Sequence, residues 1–213
     1  MKTLIKIILL VLLFTTQLFS QLRIGVTTSI GKNFTSSESI FLTNLDHVVN
    51  YQLEYIYQAP TSSLGLALLY TQDLVWIRSR PSITTTRHEY LLHDHEKNTH
   101  QQLTDKQVSV TLPIIAGAYI KDLLRVGIGP VFQKTLEAGQ IFCNMPTFRM
   151  SEKKLIDTGF QFVIGTDFYD RFFLDAILTQ GLSKTGEEYT YMGKGFKYGG
   201  RTKTLSLALS VFL

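Results

Sequence analysis

The chain has 213 residues, enough for one domain, and carries 45% hydrophobic but only 18% charged residues. Soluble domains typically carry about a quarter charged residues, so this composition disfavours an ordinary water-soluble protein. The formal net charge of +4 includes Lys2 and Lys6 at the extreme N-terminus. Without those two lysines little positive charge is left, and nucleic-acid binding is therefore not predicted.

The first element in chain order is a secretory signal peptide predicted over residues 1–20. A positively charged start is followed by an apolar run and by a cleavage site after Ser20. A transmembrane helix needs about 20 apolar residues, so this run is too short to span a bilayer. The single cysteine, Cys143, allows neither a lipid anchor at the mature N-terminus nor a disulfide within the chain. We therefore expect an exported protein with one mature domain over 21–213.

Eight segments of the mature chain alternate apolar and other side chains with a period of two, which is the pattern of β-strands. These predicted strands cover 22–30, 49–57, 64–76, 108–118, 124–132, 158–168, 172–178 and 205–213. Short connections are expected at 59–62, 121–122 and 169–170, and long ones at 31–46, 78–106, 135–154 and 184–200. Short and long connections alternate regularly. Together with the strand pattern, this predicts an all-β fold, an eight-stranded antiparallel transmembrane up-and-down β-barrel with both termini periplasmic.

The two faces of the predicted strands differ in composition. The apolar face contains no charged residue, and the opposite face is rich in small residues such as Gly25, Thr27, Gly127 and Ser206. A soluble, lipocalin-like barrel would turn its apolar face inward and would need an outer face rich in lysine and glutamate. Small residues instead suit the narrow interior of eight strands, so the apolar face is expected in lipid.

Aromatic residues gather beside the predicted short turns, which is typical of an interfacial girdle. They are Tyr55, Tyr57, Tyr119, Phe168, Tyr169 and Phe172, while Trp76 and Phe132 lie towards the opposite ends of their strands. The alternative is that aromatic residues simply favour strands anywhere.

Several motifs in the second half of the mature chain are shared with known barrels. They are Val110-Thr111-Leu112-Pro113-Ile114-Ile115, Val126-Gly127-Ile128-Gly129-Pro130-Val131-Phe132, Asp157-Thr158-Gly159-Phe160 and Gln180-Gly181-Leu182. From Gln107 onward the chain thus resembles the family of small outer-membrane β-barrel domains that includes PorT-like proteins. The resemblance implies the fold and an outer-membrane location. The family hosts several roles, including links to protein secretion, and shares no catalytic set.

Charged residues on the inward face are the first candidate site. They are Arg23, Glu54, Arg125, Asp167 and Asp175. They could form a constriction that selects ions or protons, or they could be paired charges that fill a closed barrel. The second interpretation is favoured, because unpaired buried charges are costly and eight strands leave an interior just filled by side chains.

Histidines in the long connection 78–106 are the second candidate. His88, His93, His95 and His100 alternate there with Glu89, Asp94 and Glu96. Imidazole and carboxylate groups are metal-ligand types, and His93 and His95 are the weak candidates for ligands. A polar, solvated loop that is rich in histidine is the favoured interpretation, with a pH-sensitive loop as a variant. Neither a metal nor another cofactor is therefore predicted.

Basic residues near the C-terminus are the third candidate. Lys184, Lys194, Lys197 and Arg201 lie in or beside a glycine-rich connection. They could contact lipopolysaccharide phosphates at the outer leaflet, or they could belong to a flexible basic loop. The sequence favours neither alternative.

The predicted function is that of a non-enzymatic outer-membrane barrel whose loops bind a partner or lipid, or support an envelope or secretion assembly. The expected partners are outer-membrane lipid, the barrel-assembly machinery during insertion, and other envelope proteins. One alternative is a small enzyme that modifies outer-leaflet lipid, although His47 has no evident serine and acid on one face. A narrow pore is the other alternative.

Overall fold

The computed structural model describes residues 21–35, 40–43, 49–58, 60–120, 124–137, 148–151, 156–169, 171–182, 185–191, 194–200 and 202–213. The predicted signal peptide, 1–20, lies outside these ranges. Among the described residues, no helix is long and apolar enough to cross a membrane.

The described residues are almost entirely extended. Their strands are β1 (Leu22–Thr35), β2 (Ile40–Thr43), β3 (Val49–Gln58), β4 (Pro60–Gln72), β5 (Val75–Ser79), β6 (Ser82–Asp94), β7 (Thr99–Ile120), β8 (Leu124–Glu137), β9 (Phe148–Ser151), β10 (Ile156–Phe168), β11 (Phe172–Gly181), β12 (Thr185–Tyr191), β13 (Lys194–Gly200) and β14 (Thr202–Phe212). Eleven of them form one sheet, and β9, β12 and β13 form a second, smaller sheet.

The large sheet closes into an antiparallel barrel, because β1 pairs with both β14 and β4. One residue separates β3 from β4, and both pair with β6. Two residues separate β5 from β6, and both pair with β7. Each of these two pairs of segments therefore runs as one long strand. The barrel wall consists of eight strands, which are β1, β3–β4, β5–β6, β7, β8, β10, β11 and β14. The predicted eight-stranded antiparallel fold is confirmed.

The strand assignment within 49–106 was wrong, although the number of strands was right. The turn predicted at 59–62 does not exist, because β3 and β4 continue one another along β6. The chain turns instead at Asp73 and Leu74, where Asp73 adopts a positive φ of 53°. The strand predicted to reach Trp76 therefore ends earlier, and β5–β6 is an additional barrel strand.

The long loop predicted over 78–106 is a β-hairpin. β6 and β7 pair without a break from Ser82↔Thr111 to Asp94↔Thr99. The tight turn between them covers 95–98, with Asn98 at a positive φ of 50°. Because asparagine tolerates this conformation better than most residues, Asn98 suits the turn.

Both termini of the barrel lie at the end that carries the short turns. The backbone N–H of Phe212 donates to the carbonyl oxygen of Arg171, and that of Leu213 donates to Ile24. The backbone N–H of Tyr119, near the end of β7, donates to Leu74 in the first turn. We call this the terminal end of the barrel.

Part of the large sheet extends beyond the barrel at the opposite end. It consists of 40–43, 49–58, 86–94 and 99–107, and we call it the projecting sheet. β1 pairs with β4 only as far as Lys32↔Pro60. Beyond that point, β2 pairs with β3 instead. The projecting sheet is thus continuous with the barrel wall but has left the closed ring.

Outside β5, side chains on the barrel wall face the directions predicted from the sequence. Every barrel strand exposes large apolar side chains, with exposed fractions of 50% for Ile24, 68% for Leu64 and 55% for Ile164. Small inward residues such as Thr27 and Ala208 are buried.

Leu53, on the projecting sheet, departs from the predicted pattern. It was expected on the lipid face, but it is 2% exposed and pairs with Leu92, which is equally buried. Leu92 has the same parity as Thr86, a buried residue of β6, and β6 pairs with β7 without a register break, so Leu53 and Leu92 both lie on the continuation of the inward face.

Candidate functional site

Trp76 is buried inside the barrel, not on the lipid face that the sequence predicted. The predicted alternation ran through 64–76 without interruption, so it placed even-numbered residues outside. The turn at 73–74 begins a new strand in which odd-numbered residues such as Ile77 point outwards. Trp76, Arg78 and Arg80 therefore point into the lumen, and all three are buried.

Two glycines make room for the indole ring of Trp76. Gly117 on β7 pairs in register with Trp76 on one side and with Gly127 of β8 on the other. A Cβ atom on either glycine would collide with the indole ring. The indole therefore lies against bare backbone, which explains why two small residues face each other here.

Asp175 on β11 collects three arginines beside this ring. Its carboxylate lies 2.8 Å from Arg78 Nη1, 3.1 Å from Arg125 Nη2 and 3.4 Å from Arg80 Nη1. Gly165 of β10 pairs in register with Asp175, and a Cβ there would collide with the carboxylate. The missing side chain at Gly165 thus leaves space for the ion pairs.

Arg125 links the charged groups to the aromatic ones. Its Nε contacts Asp167, and its guanidinium carbon lies 4.0 Å from the ring centroid of Phe173. The guanidinium carbon of Arg78 lies 5.2 Å from the ring centroid of Trp76. These separations are within the range of cation–π contacts.

We call Trp76, Arg78, Arg125, Phe173 and Asp175 the plug. None of these five side chains is more than 1% exposed. They pack with apolar inward residues that close the same section of the lumen. Those residues are Ala67, Leu69, Ile115, Val163, Ile177, Ala208 and Phe212. The lumen near the terminal end is therefore filled, as expected for eight strands.

Of the predicted interior charges, Arg125, Asp167 and Asp175 come together in the lumen. Arg23 is exposed near the start of β1. Glu54 lies on the projecting sheet, where it accepts a hydrogen bond from Gln52 and is 3.8 Å from His93. Glu54 departs because the alternation of its strand continues beyond the closed ring, and Arg23 departs because it precedes Gly25↔Phe212, the first described pair between β1 and β14.

Sequence reasoning missed Arg78 and Arg80, because both fell in or beside a predicted loop. A detectable signal was the alternation of Trp76, Arg78 and Arg80 with the apolar Val75 and Ile77. In a loop, the intervening positions would be expected to be polar as well, but Val75 and Ile77 are apolar.

Next to the plug, farther from the terminal end, the lumen contains a polar cavity of about 90 Å³. Ten of the lining residues carry hydroxyl groups, and Arg80 is the one lining residue with a charge. Ser29, Ser63 and Thr179 point into this cavity and remain half-exposed, so the cavity is accessible to water. We call it the hydroxyl cavity.

The histidine-rich segment is a structured hairpin of the projecting sheet. His93 and His100 are cross-strand neighbours with ring centroids 4.2 Å apart, and the His95 backbone N–H donates to Asn50. Within the described part of the chain, no group of three or more ligand-type residues could hold a metal ion. The solvated loop expected here was therefore wrong, and the candidate ligands His93 and His95 gain no support.

The candidate lipopolysaccharide contacts are only partly covered by the structure. Lys194 and Lys197 belong to β13, which pairs with β12. Lys184 and Arg201 lie outside the described residues. The interpretation of these four residues as phosphate contacts stays a prediction.

The closed eight-stranded wall with an apolar outer face can be compared with solved structures. The outer membrane protein OprG from Pseudomonas aeruginosa superposes with a TM-score of 0.54 at 12% identity, over 90% of this chain and 92% of that chain. The chain has the fold of the small outer-membrane β-barrels. Neisserial surface protein A gives a TM-score of 0.47 at 12% identity, over 91% of this chain and 97% of that one. No family model and no curated protein matches the sequence, so the resemblance to PorT-like proteins has no specific support.

Proposed function

We propose that the protein is a non-enzymatic outer-membrane barrel, closed to solutes, which binds an envelope protein through its projecting sheet. The apolar side chains exposed on all eight barrel strands support the membrane location, because so large an apolar surface is stable only when it is covered. The polar and charged inward side chains fit the same arrangement. In this proposal both termini are periplasmic and the projecting sheet faces outward.

The length of the β6–β7 hairpin carries the proposal. β7 has 22 residues, whereas a membrane β-strand needs about 9–11 residues to cross the hydrocarbon core. At roughly 3.4 Å per residue, about half of β7 extends beyond the lipid. A long, paired hairpin is a rigid support for a binding surface, and its residues are not needed to cross the bilayer.

An open sheet edge supports a protein partner in particular. β7 pairs with β8 only from Val108 onwards. Over 99–106, β6 is the one neighbour of β7 in the sheets that the structure describes. Unpaired N–H and C=O groups on an edge strand are a template for pairing with another chain.

A pore and an enzyme, the two alternatives, are less well supported. The plug fills the lumen, which disfavours a pore. His93 lies 3.8 Å from Glu54 and packs against His100 on the projecting sheet, and neither of these two neighbours supplies a nucleophile such as a serine hydroxyl. We therefore expect no change in the acyl pattern of outer-membrane lipid when the gene is deleted, and an altered pattern would support the enzyme.

The test uses photocrosslinking amino acids in the native envelope. Gln101 and Thr104 are exposed residues on the open edge, and Phe160 is an exposed residue of the barrel wall. We expect a discrete protein adduct from positions 101 or 104, identified by mass spectrometry, and only lipid adducts from position 160. Lipid adducts alone at all three positions would contradict the proposal.

A shortened variant is the control for that experiment. Residues 87–106 are replaced by Asn-Gly, a sequence that favours the tight turn between two strands, so that Thr86 and Gln107 remain paired as they are now. This variant should insert and keep a faster-moving unboiled band on gels, which reports a closed barrel, and it should lose the association with the partner.

A further inference from the structure

The charges inside the lumen do not balance. Three guanidinium groups, those of Arg78, Arg80 and Arg125, face the carboxylates of Asp167 and Asp175. A buried charge without compensation is costly. One positive charge is therefore in excess among the ionised forms of these five groups.

The excess is concentrated at Arg80. All three arginines share Asp175, but Arg80 has the longest contacts, 3.4 Å to Asp175 and 3.5 Å to the amide oxygen of Gln161. Arg78 and Arg125 approach the same carboxylate to 2.8 and 3.1 Å. Since Coulomb energy falls with distance, Arg80 is the least neutralised of the three.

Arg80 is also the arginine that faces open space. It lines the hydroxyl cavity together with Gln161, while Arg78 and Arg125 belong to the filled section of the plug. Hydroxyl side chains that line the same cavity include Ser82, Thr179 and Ser206. Each of these groups can donate a hydrogen bond to a bound oxygen atom.

We propose that the hydroxyl cavity binds a small oxyanion, such as phosphate or sulfate, with Arg80 as its counter-charge. The guanidinium group of Arg80 and the hydroxyl donors that line the cavity are complementary to a compact anion with several acceptor oxygens. The volume of about 90 Å³ exceeds that of a single water site several-fold. Asp157, the acid nearest in sequence to Gln161 on β10, is not part of the lining.

This site is separate from the projecting sheet, so it stands or falls independently of the proposed partner binding. The cavity lies within the closed ring of strands, whereas the partner surface lies beyond it. A bound anion would neutralise the excess charge and would therefore stabilise the barrel, because a ligand that binds only the folded state raises stability.

The test is calorimetric titration of the refolded full-length mature chain with inorganic phosphate at low ionic strength. A non-ionic maltoside detergent is required, because phosphocholine detergents themselves carry phosphate. We expect saturable binding with one site per chain for the wild type. Absence of saturable binding in the wild type would overturn the proposal without any variant.

Variants of Arg80 locate the site. Arg80→Gln should weaken phosphate binding by about ten- to a hundredfold, the range expected when a hydrogen bond to a charged group is lost. Arg80→Lys keeps a positive charge that binds phosphate as a point charge and should retain part of the affinity. The matched control is Arg87→Gln, on the same strand but exposed to the outside, which should bind like the wild type.

Further controls guard against a variant that does not fold. The faster-moving unboiled band shows whether Arg80→Gln forms a closed barrel. Should it not, Ser82→Ala removes a lining hydroxyl without touching the ion pairs, and it should weaken binding severalfold. Equal affinity in a folded Arg80→Gln or Arg80→Lys variant, in Ser82→Ala and in the wild type would place the anion elsewhere and overturn the proposal.

Discussion

At the scale of single residues, the lumen is organised around Asp175 and Trp76. Asp175 is the common partner of three arginines, and Trp76 occupies the space left by two glycines. Arg125 and Asp175 were predicted to be inside because they alternate with apolar residues on long, regular strands. Arg78 and Arg80 could not be found in the same way, because their positions depend on the turn at 73–74, and Asp73-Leu74 is a weak turn signal.

Removal of the Asp175 charge should strongly destabilise the barrel. Asp175→Asn keeps the shape of the side chain but leaves three buried guanidinium groups with too few partners. Breaking a buried pair costs about 3–5 kcal/mol, and we expect a loss of that size in the free energy of unfolding, measured in urea after refolding into liposomes.

Two other substitutions calibrate this effect. Asp167→Asn should cost less, because Asp167 contacts Arg125 and its side chain is 18% exposed. Asp73→Asn is the matched control, since Asp73 is exposed at a turn with positive φ, which asparagine also tolerates. Its effect should stay within about 0.5 kcal/mol. A loss at Asp175 no larger than at Asp73 would show that the ion pairs are not formed.

A double substitution tests the contact between Trp76 and Gly127. Gly127→Ala should destabilise by about 1–3 kcal/mol through overpacking, because the new Cβ meets the indole ring. In the background of Trp76→Ala, the same change should cost at least 1 kcal/mol less, a coupling typical of residues in contact.

Gly129→Ala is the control for this coupling. Its Cβ would meet the backbone carbonyl oxygen of Ile114, which a change at Trp76 does not move. Its cost should therefore be the same with and without Trp76. If Gly127→Ala were also independent of Trp76, the indole would not lie against the glycine.

At the scale of the elements, the strands with uninterrupted alternation were predicted well. β1, β8, β10 and β11 contain the segments expected from the sequence, and β14 contains all of 205–213 except Leu213. β5–β6 was missed because Ser79-Arg80-Pro81 and the charged residues after it have the composition of a loop. Tertiary pairing with β4 and β7 on either side makes this segment a strand in spite of its composition.

Disulfide trapping tests whether β6 is a barrel strand. Thr84 and Ser109 are paired in register across β6 and β7, and directly opposite residues have Cα atoms about 4.5–5.5 Å apart, within the reach of a disulfide. With Cys143 replaced by serine, cysteines at 84 and 109 should crosslink efficiently on mild oxidation and change the mobility of the denatured chain.

The negative control is a pair on strands that are not neighbours. Thr84 and Thr204 both line the hydroxyl cavity, but β6 and β14 do not pair. Cysteines at these positions should stay reduced under the same conditions. Poor crosslinking of 84 with 109 would restore the loop that the sequence predicted over 78–106.

At the scale of the whole molecule, one rule accounts for most of the architecture. Side chains that face the lipid are mostly apolar, whereas those that face inwards are small, polar or charged except where apolar residues close the lumen beside the plug. The sequence displays this rule directly, so the closed eight-stranded fold could be predicted from the chain alone. The projecting sheet could not, because outside the closed ring neither lipid nor lumen imposes the alternation, and the apolar residues of β3 therefore did not show that the face of Leu53 is buried.

Trp76 reports on this arrangement, because it is the single tryptophan of the chain and it is fully buried in the plug. The decisive measurement is its fluorescence in liposomes, with acrylamide as an aqueous quencher and brominated acyl chains as a lipid quencher. The control chain is Trp76→Phe/Ile77→Trp, which moves the reporter one residue along β5 to an outward position. We predict that Trp76 is protected from both quenchers and that the tryptophan at 77 is quenched by brominated lipid. Quenching of Trp76 by lipid would show that the two faces of β5 are exchanged, and quenching by acrylamide would show that the lumen is open; either result would contradict a closed barrel whose lumen is filled around Trp76.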